Sequence, residues 1–375
     1  MASEANRRTF LLGAAATLGA AAGAQERPLR VATIGVGNRG TSLLKQVLEQ
    51  HNVTVGAVCD TDPQARDVAQ GLARRDNPKS YAEYREVLEL NDVEAVVVAT
   101  PCDLHAEMAA ACLDAGKYVY CEKPLGITPE QVDLVLRSAR RSKAFLQIGQ
   151  QLRYYPTMRE AIRQVCDENI IGQVLVVKAQ RHSTPPRPGA ERARPAWYDD
   201  VRRSGDLIVE NAVHNLDVCN WVAASRPVSA YGHGKKYLPK PIPAGTEMMD
   251  GFSVEYIYEN DVHLDYSQLY LHPRGLKELA NGQWYMVFGE RGSVELNKGL
   301  HYEMHAEGPA RELFTPEIKA GRENAMSEFI AAIRENRQPF ADVRVAAIAA
   351  LTAIMGREAI YRRRMVTWKE LGVEV

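Results

Sequence analysis

The sequence predicts an α/β protein in two parts: an N-terminal doubly wound parallel sheet, then a C-terminal α+β domain with a large, mostly antiparallel open sheet. Three observations carry that prediction. From Leu29 to Gln150, short continuous apolar runs alternate with amphipathic stretches, the arrangement that places helices on both faces of a parallel sheet. Beyond Arg153 most segments instead alternate apolar and polar residues and are joined by tight turns, as antiparallel strands are. A length of 375 residues with 46% hydrophobic content suits about two domains of ordinary size.

In order, the predicted strands of the first part are 29–34, 53–59, 95–99, 118–121 and 145–148, each a Val/Ile/Ala-rich run of the kind buried on both faces. Between the first two, Leu43, Leu44, Val47 and Leu48 recur at helical spacing. Thr128-Pro129-Glu130-Gln131 starts a later helix with an N-cap, a proline at the first helical position and a capping-box partner. In the second part a helix is expected near 158–166. Phe252, Val254, Tyr256 and Tyr258 then alternate, turn at 259–261 and return over 262–269. A second hairpin runs 283–288 and 293–296 around Gly289-Glu290-Arg291-Gly292. The Pro/Arg-rich stretch 183–195 reads as a long loop, and 325–333 and the alanine-rich 343–360 read as helices. No internal repeat is visible. The domains are thus expected over 27–150 and 151–342, with a helix at about 343–362 packing back near the first.

Residues 1–24 are expected to be a twin-arginine export signal, with Asn6-Arg7-Arg8-Thr9-Phe10-Leu11-Leu12, an Ala/Gly/Leu stretch and a cleavage-like Ala22-Gly23-Ala24. That places the protein in the periplasm. The apolar run is too weak for a membrane anchor. With 46 Lys+Arg against 47 Asp+Glu, the net charge of −1 offers no basic excess for a nucleic-acid backbone. The six cysteines, Cys59, Cys102, Cys112, Cys121, Cys166 and Cys219, contain no C-x-x-C pair and read as free and buried. No H-E-x-x-H occurs, and His301 with His305 finds no third ligand, so no metal site is expected; nor does a G-x-S-x-G or a P-loop occur.

The first strand runs into Gly35-Val36-Gly37-Asn38-Arg39-Gly40, which opens the first helix. Such glycines permit a tight turn, approach of the backbone to a pyrophosphate and close helix packing, while the helix N-terminus offers free N–H groups to phosphate. This is the Rossmann dinucleotide fingerprint. Asp60, at the end of the second strand, can accept hydrogen bonds from both ribose hydroxyls and would repel a 2′-phosphate. NAD is therefore expected over NADP, with nearby Arg66 the one feature favouring the phosphate.

Thr100-Pro101-Cys102-Asp103-Leu104-His105 and Cys121-Glu122-Lys123-Pro124-Leu125 end two further strands on the side where such sheets bind ligands. With the glycine motif, they resemble the glucose–fructose oxidoreductase, inositol dehydrogenase and MocA (Gfo/Idh/MocA) family over nearly all of the chain after the signal. The segment 149–156, with Gln151 where asparagine is usual, looks like the family's crossover; 205–217 with Trp221 looks like its substrate-side motif. There Ser204-Gly205 replaces a common Gly-Gly, and Glu210 stands where Asp is usual.

The resemblance implies Lys123 beside the nicotinamide and the reacting hydroxyl, and His214 as the proton-transfer group. The chemistry is coherent in itself. Imidazole titrates near neutrality, an ammonium steadies a developing alkoxide, and Glu210, one helical turn before His214, could orient its ring. Gly35, Gly37, Asn38, Arg39, Gly40, Asp60, Thr100, Pro101, His105, Glu122, Lys123 and Gln151 are the expected cofactor contacts. Arg153, Tyr154, Arg181, His182, Trp197, Tyr198 and Asp217 are candidates for a sugar pocket, each weighed against a structural role.

The expected function is NAD-dependent oxidation of a sugar, sugar derivative or cyclic polyol, in a homo-oligomer joined through the C-terminal sheet. Because free NAD is scarce in the periplasm, the cofactor is expected to stay tightly bound and be recycled. The alternative is a redox-cycling glycosidase that oxidises, eliminates, hydrates and re-reduces its sugar. The chain lacks the His-Gly-type motif of one such branch. A non-catalytic nucleotide sensor is the third class.

Overall fold

A computed structural model describes residues 27–185, 195–238, 246–273, 275–276 and 282–375. The twin-arginine stretch and most of the Pro/Arg-rich loop lie outside them.

Six strands form the first sheet: β1 (Leu29–Ile34), β2 (Val53–Cys59), β3 (Lys79–Tyr81), β4 (Ala95–Val98), β5 (Tyr118–Cys121) and β6 (Leu146–Ile148). All pairs are parallel in the order β3-β2-β1-β4-β5-β6, so the order reverses beside β1 and opens a crevice at the strand C-termini. Five of the strands follow the apolar runs. The sixth, β3, has a Lys-Ser-Tyr sequence with two exposed residues, and no hydrophobic pattern announces an edge strand so short. At the Pro129–Arg141 helix, Thr128 caps Gln131 N as expected, but Gln131 Oε1 accepts from Ile127 N at 2.8 Å, one residue before the N-cap.

The second sheet comprises β7 (Val174–His182), β8 (Pro227–Lys235), β9 (Gly251–Tyr258), β10 (His263–Leu269), β11 (Gly282–Gly289), β12 (Gly292–Glu295), β13 (Leu300–Glu303), β14 (Arg311–Glu312) and β15 (Val366–Thr367). Its order is β14-β13-β12-β11-β7-β10-β9-β8-β15, antiparallel except where β7 meets β10. Both expected hairpins form, with Ile257 opposite His263 and Phe288 opposite Ser293. Alternation gives the sheet a packed face, including Tyr256, Tyr266, Tyr285 and Val287, and an open face bearing exposed Tyr231, Ile257, Phe288 and Tyr302.

The Val343–Arg362 helix lies between the two sheets. It packs on β8, on the Val213–Ala223 helix and on the Pro129–Arg141 helix of the first domain. Its buried Ala346, Ala347, Ala349, Ala350 and Ala353 let those neighbours approach closely. The six cysteines are free; five are buried, while Cys166, at the last position of its helix, is exposed. Among the described residues no helix is long and apolar enough to cross a membrane, and no cluster of three potential metal ligands occurs.

Candidate functional site

Local chain geometry builds the cofactor end. Gly35 adopts φ +81°, and a Cβ there would sit 2.6 Å from the Ala99 carbonyl oxygen; a Cβ on Gly40 would sit 1.8 Å from the Gly35 oxygen. Those two positions require glycine for packing within the protein. Gly37 differs: its φ of −66° suits any residue, and its Cβ would meet nothing within 4 Å. It faces the open crevice at the N-terminus of the Asn38–Leu48 helix, where no side chain caps the first-turn N–H groups. The site therefore fits a pyrophosphate.

A methyl group added at Gly37 would intrude where the ligand must approach, and overpacking of that size costs about 1–3 kcal/mol. Gly37→Ala is expected to fold with an unchanged Tm yet bind NAD roughly 10- to 100-fold more weakly by calorimetric titration. An unchanged Kd would refute the pyrophosphate assignment.

The cavity at this crevice measures about 1090 Å³ and runs from Asp60 and Glu83 at one end to Lys123, Glu210 and His214 at the other. Asp60 Oδ2 accepts from Val36 N at 2.8 Å and Oδ1 from Asp62 N at 3.0 Å, so the carboxylate ties the glycine turn to the end of β2. Thr100, Pro101, His105, Glu122 and Gln151 also line the cavity, as do Asn38 and Arg39. Two of these have internal duties. His105 places its ring nitrogens 2.7 Å from the Pro124 oxygen and 2.8 Å from the Thr100 oxygen, tying the loops after β4 and β5 together. Glu122, buried, takes the Arg39 guanidinium at 2.7 Å.

At the far end, Lys123 Nζ donates to Glu210 Oε1 at 2.7 Å and to the Glu210 carbonyl at 2.6 Å. Burial, the largest influence, disfavours the ammonium, but Glu210 leads the opposing interactions and together they hold it above its usual range. His214 Nδ1 lies 2.8 Å from Gln150 Oε1; since that oxygen only accepts, Nδ1 carries the proton and Nε2 keeps its lone pair. Burial, then the charges of Lys123, Arg181 and Arg39, keep the imidazole well below its ordinary range, hence neutral. This corrects the expected role of Glu210. The chain breaks between the Leu207–Glu210 turn and the Val213–Ala223 helix, so Glu210 holds Lys123 and Gln150 orients the histidine.

A second cavity of about 420 Å³ adjoins the first, and Lys123, Gln151 and His214 stand in the walls of both. Tyr155, Arg181, Ser183, Asn211 and Gln283 complete its polar lining. Several expected sugar contacts lie elsewhere. Arg153 and Asp217 form a buried bidentate pair at 2.8 and 2.9 Å, with the guanidinium over Trp221. Tyr154 is buried edge-on against Phe340. None of the three lines either cavity, because a helix and its crossover segment must bury one face. His182 is carried by strand alternation to the face opposite Arg181, where its Nε2 meets Ser267 Oγ at 3.0 Å. Trp197 and Tyr198 line the larger cavity instead of the smaller.

Gln150, Tyr155, Ser183, Asn211 and Gln283 were not foreseen. Gln150 adjoins Gln151 at a strand end, where position alone could have flagged both. Gln283 joins Arg181 only through the β7–β11 pairing, across about a hundred residues of chain.

Residues 29–150 match the model of the GFO_IDH_MocA oxidoreductase family, NAD-binding Rossmann fold, and residues 160–295 match that of the GFO/IDH/MocA C-terminal domain. Among curated proteins, an inositol 2-dehydrogenase/D-chiro-inositol 3-dehydrogenase from Lactiplantibacillus plantarum is 29% identical over 204 residues, 53% of each chain. The matched stretch is thus about half the length of that relative. A glycosyl hydrolase family 109 protein from Shewanella pealeana is 31% identical over 136 residues, 34% of this chain and 29% of its own. The WlbA dehydrogenase from Chromobacterium violaceum, solved with NADH and UDP-GlcNAcA, superposes with a TM-score of 0.75 at 22% identity, covering 92% of this chain and 96% of its own. At that identity the likeness is one of fold.

Proposed function

We propose, from the premise that the chain belongs to the Gfo/Idh/MocA oxidoreductase family, that it oxidises a hydroxyl of a sugar, sugar derivative or cyclic polyol. The observation that carries this reading is the shared wall: Lys123 and His214 stand where a dinucleotide cavity opens into a smaller polar one. Gly35, Gly37, Asn38 and Arg39 would hold the pyrophosphate of NAD, and Asp60 its ribose. Bound there, NAD supplies the hydride acceptor.

The chain's own residues do the rest. His214 Nε2 takes the hydroxyl proton, and Gln150 keeps the ring in the tautomer that can do so. The Lys123 ammonium stabilises the charge left on oxygen, and Glu210 keeps that ammonium protonated and aimed. Pro195, Trp197 and Tyr198 add a wall from beyond the first sheet to the dinucleotide cavity, which supports a cofactor that leaves slowly. Residues 1–24 support export by the twin-arginine route, and the exposed apolar side chains on the open face of the second sheet support a homo-oligomer joined there.

The test incubates the purified protein with NAD and a panel of neutral sugars and polyols, following reduced-nicotinamide absorbance. Accumulation of NADH and a ketone is the expected result; its absence with every compound would sink the reading. The pH profile checks His214 specifically. A base whose folded value is depressed stays neutral as the medium acidifies, so the acid limb of kcat/KM for oxidation is expected below the ordinary imidazole value of 6.5. A limb above it would assign the base elsewhere.

The partial likeness to a family 109 glycosyl hydrolase favours one second reading, a glycosidase that oxidises its sugar transiently and returns NAD unchanged. Release of aglycone from an aryl glycoside with no net change in nicotinamide absorbance would replace the first reading with this one.

A further inference from the structure

We propose that the smaller cavity takes a carboxylate-bearing sugar or polyol, whose carboxylate is bound by Arg181. The proposal rests on the oxidoreductase reading above and narrows its substrate class.

Charge accounting around the cleft points to it. Three other arginines in or beneath the cleft carry their own carboxylates: Arg39 pairs with Glu122, Arg153 with Asp217 and Arg203 with Asp103. Arg181 has neither an ion pair nor a hydrogen bond among the described residues, although it lines the cavity. That cavity's described lining holds two cations, Lys123 and Arg181, and no carboxylate. Glu210, in the lining of the adjoining larger cavity, neutralises Lys123 at 2.7 Å, so the surplus positive charge belongs to Arg181.

The neighbours of Arg181 on the sheet cannot supply the missing anion. Gln283 on β11 and Gln268 on β10 stand opposite it in register, and both are neutral. Gln268 is already spent, donating to Asn211 Oδ1 at 2.8 Å and accepting from Tyr266 at 3.0 Å. Ser183, Asn211 and Gln283 offer donors and acceptors suited to ring hydroxyls. A guanidinium presents parallel N–H groups that match a carboxylate's two oxygens, and one without a carboxylate partner gains most when an anion closes on it. One surplus charge matches a monoanionic carboxylate better than a phosphate dianion. A volume of about 420 Å³ is ample for one sugar ring.

The test uses the full NAD-loaded protein with D-glucuronate, D-galacturonate and D-gluconate, each against its neutral parent, and with glucose 6-phosphate. At least one acid is expected to bind more than tenfold tighter than its parent by calorimetry, with the advantage shrinking from 50 to 300 mM NaCl as screening predicts. Arg181→Met is expected to reduce the acid-over-neutral ratio of kcat/KM by roughly 30-fold or more, through KM, and Arg181→Lys to restore part of it. The proposal is overturned if no acid outbinds its parent, if the phosphate outbinds every acid, or if Arg181→Met leaves the ratio unchanged. Should that variant not fold, the wild-type binding series decides alone. Acid-selective binding without NADH formation would leave Arg181 in place and count against the oxidoreductase reading instead.

Discussion

Lys123→Met is expected to lower kcat by roughly 10²- to 10⁴-fold, the usual range for a group that stabilises charge or manages a proton in the transition state. The side chain keeps nearly its length and loses its charge. NAD binding should survive, because the phosphate cradle at Gly37 and the ribose site at Asp60 lie at the other end of the cavity. Stability will not be spared entirely. Glu210 is buried, and removing its ammonium leaves a carboxylate uncompensated. The double variant Lys123→Met/Glu210→Gln removes both charges and is expected to recover Tm but not kcat. Single-turnover NADH formation, scored beside thermal unfolding, separates the two effects. A single variant retaining more than about a tenth of wild-type kcat would rule Lys123 out of the chemistry, since the smallest effect of such a group is about 10²-fold.

Asp217→Ala is expected to cost about 3–5 kcal/mol of stability, the range for breaking a buried ion pair on one side. Both side chains are nearly inaccessible, at 8% for Arg153 and 2% for Asp217. Burial pushes the Asp217 carboxyl up, and the bidentate guanidinium pulls it back. Without the carboxylate, Arg153 keeps only the faces of Trp221 at 4.9 Å and Phe340 at 5.6 Å, too little for a buried cation. Urea unfolding is the measurement. A change in KM with no change in unfolding midpoint would instead return Asp217 to the substrate site.

The contrast between these two pairs shows how far the sequence could be read. Lys123–Glu210 and Arg153–Asp217 are both base–acid pairs joining a segment just past the end of a first-sheet strand, β5 for Lys123 and β6 for Arg153, to the substrate-side motif, and the sequence marks all four residues as candidates. Nothing in spacing says which pair faces a cavity. Glu210 sits four residues before His214, which on one continuous helix would make them neighbours. The break at 211–212 instead turns Glu210 toward Lys123. Arg181 and His182 make the same point on a strand: adjacent in sequence, they are sent to opposite faces, and only the pairing of β7 with β10 and β11 says which face meets the cleft.

What the sequence by itself determined was local. Apolar runs of the right length placed five of the six parallel strands, and Gly35, Gly37 and Gly40 marked the tight turn between the first strand and the first helix, because both properties depend on residues close along the chain. The tertiary structure decided which charges are neutralised internally and which, among the described residues, are left without an opposite charge. Glu122, Asp217 and Asp103 each reach an arginine between 64 and 100 residues away in sequence, and none reaches Arg181. Pairing across such separations is set by how the two sheets and the Val343–Arg362 helix pack, and desolvation there makes each unmatched charge consequential in a way no local pattern records.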